Sequence, residues 1–194
     1  MKVGVLALQG DFAEHLALVR RQGVEGVEVR LPSHLDHIEA LIIPGGESTT
    51  IGKLAHSFDL IDPLRAFGQT HPIWGTCAGA IFLSKDAREH QHLLGLMDIT
   101  VERNAFGRQA DSFESDILVP VLENPETPFP AIFIRAPLIA RVGPDVDILT
   151  RLPNNNDNGI IVAVKQGHFL ATSFHPELTG DDRFHRYFMS LMKT

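Results

Sequence analysis

Through about residue 85 the chain alternates short apolar runs with segments of helical period, and this alternation restricts its fold more than any other feature. "VGVLAL" reads as a buried strand ended by "GD", and "DFAEHLALVRRQG" then sets Phe12, Leu16 and Val19 on one helical face between Asp11 and Gly23. "VEVRL" and "ALIIPGG" are further strands, the second apolar throughout, as in a parallel sheet covered on both faces. "STTIGKLAHSF" and "DPLRAFGQ" read as helices starting at Ser48 and Asp62, "PIWGT" as a strand and "AGAIFLSK" as the helix leaving it. The rhythm predicts a right-handed, doubly wound, mostly parallel α/β sheet. Beyond residue 85, "MDITVERN", "DSFESDILV", "AIFIRAP", "DILTRL", "GIIVAVKQG" and "HFLATSF" are strand-like, with few helices between them. They predict antiparallel additions, with a turn at "KQGH" and a closing helix "DDRFHRYFMSLM" capped by Asp181.

With 194 residues and no break longer than "PNNNDNG", residues 1–194 are expected to form one domain. The net charge of −7 argues against nucleic acid or an anionic membrane as partner, since both need clustered Lys and Arg. No run approaches the roughly 20 apolar residues of a membrane span, and the apolar start of the chain runs into charge rather than a cleavage site. One cysteine, Cys77, cannot form an internal disulfide, which suits a reducing cytoplasm.

That cysteine lies in "GTCAG", between a strand and a helix, with glycines at 75 and 79. The layout is a nucleophile elbow, G-x-S-x-G, with Cys for Ser. The glycines let strand and helix approach around a sharp turn, which lifts the sulfur to the C-terminal edge of the sheet, where open α/β folds bind ligands. A helix N-terminus there also favours a thiolate. A lone cysteine is more often an inert core residue, but the flanking glycines and the strand-to-helix change weigh against that here.

A thiolate nucleophile needs a proton carrier. Among ten histidines, His175 in "ATSFHPELTG" follows a strand, and Glu177 lies two residues on. In extended backbone the two side chains point to the same side, so Glu177 can orient the imidazole. In "LIIPGGESTT", the amide of Gly46 can form an oxyanion hole with that of Ala78. The same stretch is not a P-loop: five residues rather than four separate Gly46 from Gly52, and Leu54 stands where a Mg²⁺-binding Ser or Thr belongs. No metal site is expected, because neither His34 with His37 nor His90 with His92 has a well-spaced third ligand. "RNAFGRQ" gathers Arg103, Asn104 and Arg108, and "FIRAP" puts Arg135 at a strand end; two arginines near a cleft suit a substrate carboxylate.

Such a set performs acyl transfer and fits a peptidase, an amidase or a glutaminase. In chain order, "LALQGDFAEH", "PGGESTT", "GTCAG", "VERNAFGRQADSFE", "FIRAP" and "SFHPELT" give a closer resemblance. From about residue 3 to 180 the chain resembles the glutaminase subunits of pyridoxal 5′-phosphate synthase, which are class I, triad-type glutamine amidotransferases with a flavodoxin-like sheet. "GTCAG" and "HPE" indicate only the superfamily; "PGGESTT" and "RNAFGRQ" narrow it. The segments "VLENPETPFP" and "RLPNNNDNG" depart from the pattern, which bears on loop length and docking. The resemblance implies Cys77 as nucleophile, His175 as base and acid, Glu177 orienting it, and Gly46, Glu47, Ser48, Arg103, Ile134 and Arg135 around L-glutamine. It implies no cofactor for this chain. It also implies a partner, a (β/α)₈-barrel synthase subunit in a hetero-oligomer, that receives the ammonia.

Three other readings stand beside this one: a glutaminase serving another synthase, a peptidase acting alone, and a redox sensor using Cys77. The acid-oriented histidine counts against the sensor. Ammonia released into water is protonated and lost as a nucleophile, so the site is expected to be incomplete until the partner docks. The Gly45–Gly46 peptide is the part best able to turn.

Overall fold

Alternation of period two in the apolar runs decides the architecture, because it gives the sheet two apolar faces to cover. The computed structural model describes residues 1–88, 90–103, 112–153 and 158–193. Its first half runs β1 (Lys2–Leu6), α1 (Phe12–Arg21), β2 (Glu25–Val29), β3 (Ala40–Ile43), α2 (Ser48–Ser57), α3 (Ile61–Gly68), β4 (Ile73–Thr76) and α4 (Ala78–Leu83). Eight strands follow: β5 (Ser84–Asp86), β6 (Met97–Glu102), β7 (Ser112–Ile117), β8 (Phe129–Ile134), β9 (Leu138–Val142), β10 (Asp147–Leu152), β11 (Ile160–Gln166) and β12 (Phe169–Thr172). Helix α5 (Arg183–Ser190) follows them.

The main sheet has seven strands in the order β10-β11-β12-β4-β3-β1-β2. From β12 to β2 every pairing is parallel, and β10-β11-β12 is antiparallel. Val3, Val5, Ala40, Ile42, Trp74 and Leu170 face one side, packed with Leu16 and Val19 of α1, Phe184 and Phe188 of α5, and Phe129 and Phe133 of β8. Leu6, Leu41, Ile43, Ile73 and Ala171 face the other, packed with Ile51 and Ala55 of α2, Leu64 and Phe67 of α3, and all but Gly79 of α4. A doubly wound sheet results, as the alternation predicts.

Several expectations are corrected in detail. "HFLATSF" is not an outer addition but the strand that joins the two halves, antiparallel to β11 and parallel to β4. The remaining strand-like runs leave the main sheet for two small ones, β5-β6-β9 and β7-β8. Two of their strands went unread: β5 takes the end of the expected helix "AGAIFLSK", and β9 follows "FIRAP". Strands β1 and β2 lie one or two residues earlier than the apolar runs suggested, and α3 starts one residue before Asp62. The residue at the head of α5 is Asp182 rather than Asp181; Asp181 instead accepts from the Arg183 N–H at 3.0 Å and pairs with its guanidinium. That guanidinium also reaches the carbonyls of Glu123, Asn124, Thr127 and Pro128, and so ties down the polar segment before β8.

The turn between β4 and α4 is set by close backbone approach. A methyl group at Gly79 would fall 2.0 Å from the Ile43 carbonyl oxygen, and one at Gly75 2.5 Å from the Gly79 carbonyl. No side-chain rotation relieves contacts with backbone. Gly79→Ala is therefore expected to destabilise the fold by about 1–3 kcal/mol, as overpacking does, and to displace Cys77 and change its rate of alkylation. Gly180→Ala, with open space around the new methyl, should change neither; thermal melts and thiol labelling of both variants compare them. Phe184 tests the second face. It is fully buried, with ring centroids 4.8 Å from Phe129 and 5.3 Å from Phe174. Phe184→Ala should cost about 3–5 kcal/mol in urea unfolding, and a loss under about 1 kcal/mol would show that α5 is peripheral.

Candidate active site

Four parallel strands, β1, β3, β4 and β12, end on the same edge of the sheet, and the segments that leave them build one cleft of about 380 Å³. The segment after β1 brings Gln9, Gly10 and Asp11; that after β3 brings Gly46, Glu47 and Ser48; that after β4 brings Cys77 and Ala78; that after β12 brings His175. Arg103 after β6 and Ile134 and Arg135 at the end of β8 complete the wall with Ile81, Pro137 and Leu178.

Cys77 sits at φ 48° and ψ −108°, outside the regions an L-residue prefers. Its N–H donates to the Thr172 carbonyl at 2.8 Å, which ties the elbow to β12. Every residue of α4 is buried, so the helix cannot move to relax the turn. The thiol lies 4.0 Å from the Ile134 carbonyl oxygen. Arg135 is a second non-glycine residue at positive φ, 43°, in the same cleft. Backbone outliers that cluster in a cleft mark a place held for function.

His175 Nδ1 and Glu177 Oε1 are 2.7 Å apart, both side chains almost wholly buried. The pair forms as the sequence suggests but not for the reason given there. Pro176–Leu178 is a 3₁₀ turn, not extended backbone, and its curl carries Glu177 back beneath the imidazole. The His175 N–H donates to the Ile132 carbonyl at 2.8 Å, anchoring the start of that turn. Burial opposes a charge on His175, but its interactions with Cys77 and Glu177 outweigh burial and raise its pKa to about 10. At neutral pH it is an imidazolium. Burial also raises the pKa of Glu177, against the pull of His175.

Glu47 precedes α2 and caps it, accepting from the Thr50 N–H at 3.1 Å. Arg103 and the Thr49 hydroxyl also donate to its carboxylate. Partial burial disfavours its charge, yet the bonds from Thr49 and Thr50 and the charge of Arg103 lower its pKa overall. The Ser48 hydroxyl donates to Gln91 Oε1 at 3.0 Å. Gly46 has φ 147°, and the Gly45 carbonyl accepts from the Asp11 N–H at 3.2 Å. Each site residue named from the sequence thus lines the cleft, apart from Glu177, which lies behind His175. Asn104 and Arg108 lie outside the described residues.

The three cleft residues that follow β1 escaped the sequence reading. Gln9 accepts from the Glu47 N–H at 2.7 Å, joining the segments after β1 and β3. Asp11, read as the start of the first helix, makes no capping bond; its Oδ2 lies 3.5 Å from His175 Nδ1. Gly10 allows the two segments to touch, since a methyl group there would fall 1.7 Å from the Gly45 carbonyl oxygen. The adjacency of β1 to β3 is the signal that would have found them. Among the described residues, Asp11, His175 and Glu177 are also the group close enough to share a cation. The Nδ1 that would face an ion carries the proton held by Glu177, so the trio reads as support for the imidazole. His92 stacks on His56 with ring centroids 4.4 Å apart, and His34 Nδ1 contacts the Glu28 carbonyl at 3.1 Å.

The chain is 57% identical over 196 residues to the pyridoxal 5′-phosphate synthase subunit PdxT of Herpetosiphon aurantiacus, covering 98% of this chain and 100% of that one. It is 55% identical over 195 residues to the PdxT subunit of a Roseiflexus species, with the same coverage. A crystal structure described as a glutamine amidotransferase superposes with a TM-score of 0.91 at 49% identity over 99% of both chains. The PurLQS structure from Thermotoga maritima, at 18% identity and a TM-score of 0.69, shares the fold. The model of the SNO glutamine amidotransferase family matches residues 5–194, and the chain belongs to that family.

Proposed function

We propose that this chain is the glutaminase subunit of a pyridoxal 5′-phosphate synthase, working as one domain over residues 1–194. The observation that carries the proposal is the meeting, in one cleft, of a strained Cys77 and of His175, whose Nδ1 lies 2.7 Å from Glu177 Oε1 behind it. The Cys77 thiolate attacks the side-chain carbonyl of L-glutamine, and the Gly46 and Ala78 amides receive the oxyanion. His175 gives its proton to the departing nitrogen, which leaves as ammonia, and a thioester forms on Cys77. Water then attacks the thioester while His175 takes a proton from it. Glutamate leaves, and the thiolate and imidazolium are restored.

Recognition of the amino-acid end rests on Glu47, Ser48, Arg103, Ile134 and Arg135. Glu47 suits the α-ammonium, and an arginine suits the α-carboxylate. Because Arg103 and Glu47 already pair with each other, the substrate's two charges exchange with an existing ion pair instead of facing bare ones. A peptide substrate lacks the free α-groups, which favours glutamine over a peptidase role.

Ammonia expelled as the thioester forms is useful only if it reaches its acceptor unprotonated. The receiving partner is a synthase subunit, a (β/α)₈ barrel in a hetero-oligomer, and the setting is the cytoplasm. No described helix is long and apolar enough to cross a membrane. The Gly45–Gly46 peptide completes the oxyanion hole when the partner docks, a turn that exchanges the bond from the Asp11 N–H. Losing one oxyanion donor lowers turnover by about a hundred- to a thousandfold.

The isolated chain should therefore hydrolyse glutamine slowly, and adding the synthase subunit should raise kcat by about that factor, with a smaller change in KM. Cys77→Ala should abolish hydrolysis in the complex with the melting temperature retained. Full turnover by the chain alone would overturn the gating. Near-normal turnover by Cys77→Ala would overturn the nucleophile, and peptide cleavage without glutamine hydrolysis would overturn the whole reading.

A further inference from the structure

Behind Glu177, on the side away from the cleft, lies a second group of polar side chains that the glutaminase chemistry has not used. His15, from the middle of α1, is fully buried, and His185, from α5, is almost so. The Trp74 ring packs edge-on against both, with centroids 5.7 and 4.9 Å away. Two imidazoles in such a place are costly unless each polar atom has a use. His15 Nδ1 lies 3.0 Å from His185 Nε2. His15 Nε2 lies 3.1 Å from Thr76 Oγ1 and 3.3 Å from Glu177 Oε2.

The proton positions follow from elimination. Burial, joined by the nearby His185 and His175, holds the pKa of His15 well below the ordinary histidine value, and burial lowers that of His185 to about 3. Both are neutral, so each ring carries one N–H. A carboxylate only accepts, and Glu177 Oε1 is taken by His175, while among the described residues no hydrogen bond reaches Oε2 and His15 Nε2 faces it at 3.3 Å. An unprotonated His15 Nε2 would set a lone pair against that oxygen. His15 therefore carries its proton on Nε2, between Thr76 Oγ1 and Glu177 Oε2, and its bare Nδ1 accepts from His185 Nε2–H. The leftover atom is His185 Nδ1, a bare acceptor, and it is the ring nitrogen of that pair which has no partner among the described residues.

The geometry points to His15 as a positioning residue for the glutaminase reaction: its Nε2–H, fixed by His185, closes on Glu177 Oε2 and keeps that carboxylate ionised and aimed at His175. The inference rests on the glutaminase reading proposed above. The charged and titratable groups around the pair are Glu177 and His175 towards the cleft, Asp11 beyond His175, and Asp182 at the head of α5 beside His185. Glu177 is already disposed by burial to take up a proton. Removing the His15 N–H that faces Oε2 raises its pKa further, so it loses its charge at a higher pH, and the imidazolium of His175 loses its counter-charge.

Glutamine hydrolysis by the complex with the synthase subunit separates this role from simple packing. His15→Phe keeps the ring and removes the donor; His15→Gln places an amide N–H near the position of Nε2. His15→Phe should lower kcat by about ten- to a hundredfold, the effect of one hydrogen bond to a charged group. KM should stay within about twofold, and the acid limb of the kcat profile should move to higher pH. His15→Gln should recover most of the loss. An unchanged kcat and pH profile in His15→Phe, or equal losses in both variants, would overturn the proposal.

Imidazole ¹⁵N spectra of the unmodified chain give a test that needs no variant. From pH 6 to 9, His15 and His185 should each show a protonated Nε2 and a bare Nδ1. A proton on His15 Nδ1 would overturn the inference even if His15→Phe failed to fold. If the unmodified complex did not hydrolyse glutamine, the functional reading would fall, while the spectra would still decide the proton arrangement.

Discussion

The backbone of Cys77 is the constraint on which the rest of the site depends. At φ 48° and ψ −108° an L-residue gives up about 1–3 kcal/mol, and it stays there because everything around it is already fixed. β4 is hydrogen-bonded between β3 and β12 in the middle of the sheet. Cys77 N–H is tied to Thr172, and α4 is buried along its whole length. Gly75, Gly79 and the Ile43 carbonyl meet closer than any side chain allows. Relaxing the turn would mean breaking the centre of the fold, which is worth more than the strain. The sulfur is therefore presented to the cleft by the same contacts that hold the sheet together.

Electrostatics then decides what that sulfur meets. Burial alone would leave His175 neutral and Glu177 protonated, a pair of no use for proton transfer. Hydrogen bonds and charge interactions with Cys77 and Glu177 reverse the first of these effects and outweigh the lost hydration of the imidazolium. The structure surrounds this small charged unit with further oriented groups: Asp11 at one side of His175, and the His15–His185 pair behind Glu177.

Much of this was legible in the sequence where a local rule sufficed. The parallel half could be read from β1 to β4 because buried strands and amphipathic helices differ in period. The elbow could be read because glycines on both sides of a cysteine have few other uses. "HPE" gave the right pair through the wrong backbone, since two residues apart suits a 3₁₀ turn as well as a strand. The small sheets were not legible: β5 has three residues, and β9 is separated from β8 by only a few. Long-range pairing leaves no mark on either run. Asp11 was read only as a helix start, because a helix start and a cleft carboxylate can occupy the same position. His15 and His185 were hidden among ten histidines, because their meaning comes from α1 and α5 packing on one face of the sheet. The closing helix, generic by pattern, carries both His185 and the aromatic residues that cover Trp74.

The central claim is that the elbow delivers Cys77 to a histidine held in its charged form. Following the His175 ring resonances by NMR as pH rises tests it most directly. On this account His175 stays protonated through neutral pH and titrates only as pH approaches about 10, and in Cys77→Ala it titrates lower because one of its supports is gone. A His175 that titrated near the ordinary histidine value of about 6.5, unaffected by loss of the thiol, would contradict it.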